Sequence, residues 1–263
     1  MKLLPLLAAA GVTTTVAVSV VGLPISSTPT AVAVEAAPPT TATTTTTTPV
    51  VTGPPPATPV ATPPVATGLV PGVEGGEVLQ LQQRLVQLHY DPGTVDGHYG
   101  ADTALAVMAF QKVTGLSRTG VANAETTLAL AGATDPAPLV PAGAPTRVEV
   151  DIARQVLFAW ADGQLVKILP VSTGSGQRYC EKGECGVAVT PRGDFQAERR
   201  IPGLHRSPLG VLYNPVFFHQ GFAIHGSPSI PPYPASHGCV RVPIHSSRWI
   251  YDNVPNGTPI HLI

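Results

Sequence analysis

The segments Ile224-His225-Gly226 and Ser236-His237-Gly238-Cys239-Val240-Arg241 decide how the C-terminal half of the chain is interpreted. A thiol attacks a carbonyl as the thiolate, and a neighbouring imidazole can take its proton. The attacked carbonyl develops an oxyanion, which backbone N–H groups at a glycine-containing turn can bind. The two segments therefore predict an acyl-transfer site with Cys239 as nucleophile, His225 as general base and a Gly238-Cys239 turn as oxyanion hole.

The same residues also allow a metal site, which we consider less favoured. His225, His237 and Cys239 are all side chains that bind zinc. A catalytic zinc site, however, usually has a carboxylate or a further histidine nearby as base, and none lies between Ile224 and Arg241. We therefore expect neither a metal nor another cofactor.

The N-terminus predicts export. Lys2 is followed by an uncharged, largely apolar stretch, and Ala31-Val32-Ala33 has the small-x-small pattern that a signal peptidase cleaves. We predict a signal peptide over residues 1–33, with an uncleaved signal anchor as the alternative, because the length of the apolar run fits both. The rest of the chain then lies outside the cytoplasm and touches a membrane only through this segment.

A linker is predicted over residues 34–74. Residues 36–73 are uncharged and consist largely of proline, threonine and small residues, so they cannot bury a core. The net charge of −1 and the lack of basic runs argue against a nucleic-acid partner.

The three cysteines fit an exported protein. In an oxidising compartment two of them pair and one remains. Cys180 and Cys185 lie close together in a glycine-rich loop, and pairing them leaves Cys239 free beside its histidines. The alternative is that all three are buried thiols.

Residues 75–131 predict a small module of three helices. The first carries apolar residues at helical spacing on one face: Val78, Leu81, Leu85 and Leu88. Turn residues follow at 89–93, a second helix runs from Asp102 to Gly115, and a third covers 123–130.

After a second linker at 132–145, the apolar pattern changes to the period of β-strands. Residues 146–263 contain short strands separated by Gly and Pro turns, with Asp162-Gly163 in a hairpin turn and a helix at 246–253. The predicted fold class is a multidomain α+β protein: the three-helix module followed by a mostly-β sandwich with the reactive cysteine on a loop.

The pattern H-G-(x)n-S-H-G-C-x-R resembles that of the L,D-transpeptidases, the YkuD-type catalytic domain of bacterial cell-wall synthesis. The similarity covers residues 146–263 and includes Val171-Ser172-Thr173-Gly174 and Thr190-Pro191-Arg192-Gly193. The resemblance implies that the Gly226 carbonyl orients the His225 ring and that His237 shapes the oxyanion and substrate side.

Three further residues are predicted on the substrate side. Arg241 positions a carboxylate or holds the loop, and its charge would favour the thiolate. Ser236 is expected to hydrogen-bond within the turn rather than attack, because a thiol is far more acidic than an unassisted hydroxyl. Tyr213 is expected either in the substrate cleft or in the core.

The run from Leu81 to Gln111 resembles a peptidoglycan-binding module, through L-Q-x-R-L and V-D-G-x-Y-G-x-x-T-x-x-A-V-x-x-F-Q. The segment from Gly120 to Leu130 departs from the usual pattern of that module. A helical spacer that binds nothing is therefore the alternative.

Together the two resemblances imply an L,D-transpeptidase of the cell wall or periplasmic space. Its donor would be a peptidoglycan tetrapeptide stem, its acceptor a stem amine, its product a 3→3 cross-link, and its inhibitors carbapenem-type β-lactams. Three alternatives remain: an L,D-carboxypeptidase or cysteine hydrolase, an inactive wall-binding protein, and a transferase that attaches a protein amine. The sequence does not predict the oligomeric state.

Overall fold

The computed structural model describes residues 68–263. The predicted signal segment at 1–33 and residues 34–67 of the predicted linker lie outside the described residues. Within 68–263, every helix is too short or too polar to cross a bilayer.

The N-terminal part of the described chain contains three helices, as the sequence predicts. They are α1 (Gly76–Gln87), α2 (Ala101–Thr114) and α3 (Ala124–Gly132). Helix α2 ends at Gly115, which adopts the left-handed conformation that glycine tolerates. Helix α3 is capped by Asn123, whose side-chain oxygen accepts a hydrogen bond from the Thr126 N–H at 2.9 Å.

The rest of the chain is mostly β-structure, with one further helix, α4 (Ile244–Asn253), near its end. Its strands are β1 (Arg147–Asp151), β2 (Val156–Ala161), β3 (Gln164–Pro170), β4 (Arg178–Glu181), β5 (Glu184–Val187), β6 (Gly193–Gln196), β7 (Arg199–Arg200), β8 (Leu204–Ser207), β9 (Gly210–His219), β10 (Phe222–Ser227), β11 (Val240–Pro243) and β12 (Pro259–Leu262).

Two five-stranded sheets form the predicted sandwich. The first has the strand order β3-β2-β1-β12-β6. The second has the order β11-β10-β9-β7, and β8 also pairs with β9. The pairs β1–β12 and β10–β11 are parallel, whereas the other pairs are antiparallel. Strands β4 and β5 form a separate hairpin.

Strand β2 is buried on both faces because the first sheet is the middle layer of three. Its Leu157 and Ala159 belong to the apolar cluster between the two sheets. The alternating residues Val156, Phe158 and Trp160 belong to a second cluster, which also contains the core of the three helices. The helical module and the sandwich, predicted as separate domains, therefore share a hydrophobic core.

Both predicted linkers end in ordered contacts. Residues 133–146 contain no helix or strand, but the N–H groups of Leu139 and Val140 donate to the buried Glu149 carboxylate at 2.9 and 3.2 Å. Farther upstream, Leu69 exchanges two backbone hydrogen bonds with Ala122, at 3.1 and 3.0 Å. The last residues of the first predicted linker are therefore attached to the helical module.

Candidate active site

Two neighbouring parallel strands place Cys239 and His225. In the β10–β11 pair, Ile224 lies opposite Val240 and His225 opposite Arg241. Side chains alternate between the two faces of a strand, and Ile224 and Val240 face the sandwich core. His225 and Arg241 therefore point to the outer face of the second sheet, where they line the same cavity as Cys239.

The cavity on this outer face has a volume of about 800 Å³ and a largely apolar wall. The β4–β5 and β8–β9 hairpins and strand β10 supply most of the wall, through Val187, Leu209, Leu212, Phe217 and Phe222. Among the described lining residues, Arg241 is the only Lys, Arg, Asp or Glu. Such a cavity suits a peptide that carries small apolar side chains and a negative charge.

The backbone fixes which nitrogen of His225 can act as a base. Its Nδ1 lies 2.9 Å from the carbonyl oxygen of Gly226, the contact that the resemblance implies. A carbonyl oxygen only accepts hydrogen bonds, so Nδ1 carries the proton and the Nε2 lone pair is free. Burial lowers the pKa of His225 to about 4, against a smaller raising effect of the Gly226 hydrogen bond. The ring is therefore neutral at neutral pH and able to accept a proton.

Cys239 is a free, half-buried thiol. Burial raises its pKa, although the Ala223 N–H and the positive charge of Arg241 act in the opposite direction. The thiol form is therefore favoured at rest, which differs from the thiolate that the sequence predicts. The physical reason is that desolvation of a charged sulfur outweighs the nearby cation. A base must therefore take this proton before the sulfur can act as a nucleophile.

The turn before Cys239 is closed by the hydroxyl of Ser236. This hydroxyl donates to the Cys239 carbonyl at 2.6 Å and accepts from the Gly238 N–H at 3.0 Å. The Gly238 N–H therefore has a partner within the turn, and the oxyanion role of the Gly238-Cys239 turn stays a prediction. Ser236 is buried and makes the turn contacts that the sequence predicts.

Steric constraints explain why position 238 is glycine. Gly238 has a φ of 134°, which side chains rarely adopt, and a Cβ there would collide with the Phe222 ring. The same Cβ would lie 3.0 Å from the Val189 carbonyl oxygen. The Thr190 hydroxyl donates to the Gly238 carbonyl at 2.7 Å, which fixes the turn from its other side.

Close packing also requires glycine at position 226. A Cβ on Gly226 would lie 2.7 Å from the Ser247 Cβ on helix α4 and 3.0 Å from the Tyr213 Cβ. The carbonyl that orients His225 is thus held between α4 and strand β9. Tyr213 is half-buried and lines the cavity, so the structure places it in the cleft.

The β4–β5 hairpin contacts His237. Cys180 and Cys185 lie opposite each other in this hairpin and form a disulfide. On either side of Cys180, the Glu181 carboxylate lies 3.2 Å from His237 Nε2, and the Tyr179 ring packs edge-on at 4.8 Å between centroids. His237 lines the cavity but belongs to its rim, in contact with the hairpin.

Arg241 is held through its backbone, which exchanges hydrogen bonds with Ser172 at 3.1 Å in both directions. Burial lowers the pKa of its guanidinium, and proximity to Cys239 raises it. None of the acidic side chains that the structure describes forms an ion pair with Arg241. The cation is therefore available to a carboxylate in the cavity.

Comparison with known proteins assigns the family. The model for the YkuD L,D-transpeptidase catalytic domain matches residues 145–262. A crystal structure of an L,D-transpeptidase from Xylanimonas cellulosilytica is 43% identical in sequence, with a TM-score of 0.71 over 77% of this chain and 100% of that one. The chain belongs to the L,D-transpeptidase family. The family confirms the fold class that the sequence predicts.

Other comparisons give further similarities. A peptidoglycan binding domain model matches residues 74–130 of this L,D-transpeptidase. A crystal structure of an L,D-transpeptidase from Stackebrandtia nassauensis is 24% identical over 75% of this chain and 97% of that one, with a TM-score of 0.42. One from Mycobacterium smegmatis is 24% identical over 46% and 59%, with a TM-score of 0.37. A search of curated proteins found no match.

Several residues that support the L,D-transpeptidase site were not singled out from the sequence. The Ser172 hydroxyl donates to the Tyr233 carbonyl at 2.9 Å, and the Thr173 carbonyl accepts from the N–H groups of Ala235 and Ser236 at 2.9 Å. The only sequence signal for these contacts is that Ser172 and Thr173 belong to the Val171–Gly174 segment of the resemblance. A family resemblance includes such residues in its pattern but does not show which hydrogen bonds they make.

The two histidine side chains have different hydrogen-bond partners. His225 is bound to the Gly226 carbonyl, whereas His237 is bound to Glu181 on the hairpin. Within residues 68–263, no group of three or more His, Cys, Asp or Glu side chains is arranged to hold a metal ion. The described residues therefore offer acyl-transfer chemistry and no metal-binding cluster.

Proposed function

We propose that this L,D-transpeptidase forms 3→3 cross-links in peptidoglycan through a thioester on Cys239. The donor is a tetrapeptide stem, in which the third residue, a diamino acid, is joined to a terminal D-alanine. The acceptor is the side-chain amine of the third residue on a neighbouring stem. The substrates follow from the family, and the two acyl-transfer steps follow from the residue types in the site.

One observation supports this proposal above the others. A free thiol and a neutral imidazole, whose tautomer is fixed by the Gly226 carbonyl, face the same largely apolar cavity. An imidazole that is neutral at neutral pH can accept the thiol proton directly, because it does not first have to lose a proton of its own. The arrangement therefore suits attack by sulfur on an amide carbonyl.

In the first step, the Cys239 sulfur forms a bond to the carbonyl carbon at the L-centre of the third residue. The thiol proton moves to Nε2 of His225, and the carbonyl oxygen carries the negative charge of the tetrahedral intermediate. The bond between the carbonyl carbon and the D-alanine nitrogen then breaks. The departing nitrogen takes the proton from His225, so D-alanine leaves as a free amino acid and a thioester remains.

In the second step, the amine of the acceptor stem attacks the thioester carbonyl. His225 accepts a proton from this amine, and the carbon–sulfur bond breaks. The Cys239 sulfur then recovers the proton from His225. The amide of the cross-link is formed, and the thiol and the neutral imidazole are restored.

Arg241 is proposed to bind a carboxylate of the donor stem. It is the only charged Lys, Arg, Asp or Glu among the described residues that line the cavity, and it lies opposite His225 in the sheet. A half-buried guanidinium without an acidic partner gains most from a bidentate carboxylate. This contact would fix the donor stem with its third residue beside Cys239.

The location of the enzyme is proposed from the sequence. Residues 1–33 are proposed to direct export, and residues 34–67 to extend through the space between the membrane and the wall. The helical module, which matches a peptidoglycan binding domain model, is proposed to keep the enzyme on its substrate.

Product analysis tests the proposed reaction. The wild-type protein and Cys239→Ala are incubated with a purified disaccharide-tetrapeptide, and the products are identified by mass spectrometry. Dimers and free D-alanine are expected from the wild type alone. A tripeptide without dimers would instead assign an L,D-carboxypeptidase, and sedimentation with sacculi without any product would assign an inactive wall-binding protein.

Acylation by a carbapenem tests the nucleophile separately. Intact-mass measurement after incubation should show one adduct on the wild type and none on Cys239→Ala. An adduct on both proteins, or on neither, would count against Cys239 as the acylated residue.

A further inference from the structure

Two cations of the helical module contact the segments that frame the Cys239 turn. Lys112, on helix α2, is buried, and its Nζ donates to the Val171 carbonyl at 2.9 Å. Arg118, in the loop after α2, donates through Nη1 to the Pro232 carbonyl at 3.0 Å. Both acceptors belong to the catalytic sandwich, far from these cations in sequence.

The residues that follow the two acceptors are joined by a hydrogen bond. Val171 immediately precedes Ser172, and Pro232 immediately precedes Tyr233. The Ser172 hydroxyl donates to the Tyr233 carbonyl at 2.9 Å. Lys112 and Arg118 therefore hold the two chain segments on either side of this bond.

The same segments continue directly to the catalytic residues. Ser172 is paired through its backbone with Arg241, two residues after Cys239. The next residue, Thr173, accepts hydrogen bonds from the N–H groups of Ala235 and Ser236, both at 2.9 Å. A displacement of Val171 or Pro232 would therefore also displace the turn that carries the Cys239 thiol.

The burial of the Lys112 charge lowers the stability of the folded state, which supports a role for this lysine other than stabilisation. Burial and, to a smaller extent, the nearby charge of Arg118 together lower its pKa from 10.5 to about 7. Relative to an apolar side chain of the same size, such a lysine destabilises the folded state increasingly as the pH falls below 10.5, and the penalty is complete below about 7. A buried methionine would fill the same space without this penalty.

We propose that the helical module is a structural part of the active site, in which Lys112 and Arg118 act as positioning residues for the Cys239 turn. The module would then be required for acylation itself, in addition to any attachment to the wall. This inference rests on the proposed function only for the choice of donor substrate. It does not require the module to bind glycan.

The test compares Lys112→Met and Arg118→Met with Lys167→Met in the full chain. Lys167 is the matched control, because its Nζ also connects the sandwich to the module, at 3.0 Å from Asp91, but this contact does not involve the segments that frame the Cys239 turn. For each variant, we would measure kcat and KM for acylation by the donor stem, the midpoint of thermal unfolding, and the pH profile of Cys239 alkylation by iodoacetamide.

The expected result is a loss of about tenfold or more in kcat for Lys112→Met and for Arg118→Met, because a small displacement of a nucleophile is costly. Their KM values should stay close to that of Lys167→Met, and Arg118→Lys should recover part of the lost kcat. The unfolding midpoint of Lys112→Met should not fall below that of the wild type, because the buried charge is removed. The inference would be overturned if both methionine variants had wild-type kinetics. It would also be overturned if the loss of kcat in each variant matched a fall in its unfolding midpoint.

Two further outcomes remain distinguishable. If Lys112→Met does not fold, Arg118→Met decides the question, because Arg118 is only half-buried. If the wild type is not acylated by the donor stem, the proposed function fails, and the iodoacetamide profile then tests positioning alone. An unchanged profile in both methionine variants would contradict the inference in that case.

Discussion

At the residue scale, the site combines a buried imidazole and a half-buried thiol that are both neutral at rest. Burial raises the pKa of Cys239 and lowers that of His225 to about 4. Because the thiolate is the form that is oxidised most readily, a neutral thiol is less readily oxidised. In the proposed mechanism, the proton leaves the sulfur when a carbonyl is attacked.

The first prediction concerns the pH dependence of acylation. Because the folded-state pKa of His225 is lowered to about 4, its base form is present above this value and is lost as the pH falls through it. The second-order rate constant for Cys239 acylation should therefore hold down to about pH 5 and fall with a midpoint near 4, measured by stopped-flow acylation after a pH jump.

The control for this prediction is His225→Gln, which should lower the rate constant by about 10²–10⁴-fold and remove the acidic limb of the profile. A midpoint near 6.5, the ordinary value for histidine, would show that burial does not lower the pKa of His225, and an acidic limb that persists in His225→Gln would show that another group is the base.

The second prediction concerns Gly238. Gly238→Ala should lower the free energy of unfolding by about 2 kcal/mol or more, because it adds a collision with Phe222 to the strain of a positive φ. Gly75→Ala is the matched control, with a φ of 129° and no atom within 4 Å of the added Cβ. Equal losses for the two variants in urea unfolding would show that the collision does not exist.

At the scale of elements, the β4–β5 hairpin is the part of the cavity wall that depends least on the sandwich core. It forms its own two-stranded sheet and reaches the site through Tyr179, Glu181 and Val187. Its disulfide joins two strands directly across from each other, between the two residues that contact His237. The disulfide therefore constrains the wall of the cavity rather than the core.

The third prediction follows for the double variant Cys180→Ser/Cys185→Ser. The free energy of unfolding should fall by only about 2 kcal/mol, because the bridged loop is short. KM for the donor stem should rise several-fold as this part of the wall becomes mobile, with a smaller effect on kcat. Glu181→Gln, which keeps the disulfide, is the control.

A large loss of stability with an unchanged KM would contradict this interpretation. As a direct check of the pairing, a thiol titration of the denatured wild type without reductant should detect Cys239 alone.

The features of the fold and of the site that depend on local chemistry were predictable from the sequence. The Asp162-Gly163 turn follows from residue types that tolerate positive φ, and both residues have it. Cys239 and His225 follow from the spacing of reactive side chains and from the family resemblance. Register was not predictable in this way, so the contact between Glu181 and His237, 56 residues apart, has no local signal.

Only one weak feature of the sequence indicates that the helical module packs against the first sheet. Strand β2 reads Val-Leu-Phe-Ala-Trp-Ala, a continuous apolar run that is typical of a strand buried on both faces. The predicted mostly-β sandwich has no helical layer over this strand. Lys112 gives no such signal, because a lysine in a helix is normally exposed, and only the packed structure shows that it is buried.

At the scale of the whole molecule, the first sheet connects the substrate site to the helices. Its inner face packs against the sheet that carries His225, and its outer face packs against α2, in a cluster that also contains the core residues of α1 and α3. Polar contacts surround this junction: Asp91 accepts hydrogen bonds from Lys167 at 3.0 Å and from Ser246 of helix α4 at 2.9 Å. A chain of this kind is expected to lose its helices and its sandwich together.

The last prediction tests this cooperativity with Phe110, which is 1% exposed in the shared cluster and packs edge-on against Tyr90 at 5.7 Å. Phe110→Ala should lower the free energy of unfolding by about 3–5 kcal/mol, since it leaves a cavity in a core common to both parts. Helix circular dichroism and the fluorescence of the tryptophans, of which Trp160 lies in the same cluster, should report one urea transition at one midpoint. Leu128→Ala, at a residue 77% exposed on α3, should change the free energy by about 0.5 kcal/mol or less. Loss of the helical signal before the tryptophan signal would mean that the helices unfold alone, and the sandwich would then have to hold the Cys239 turn without Lys112.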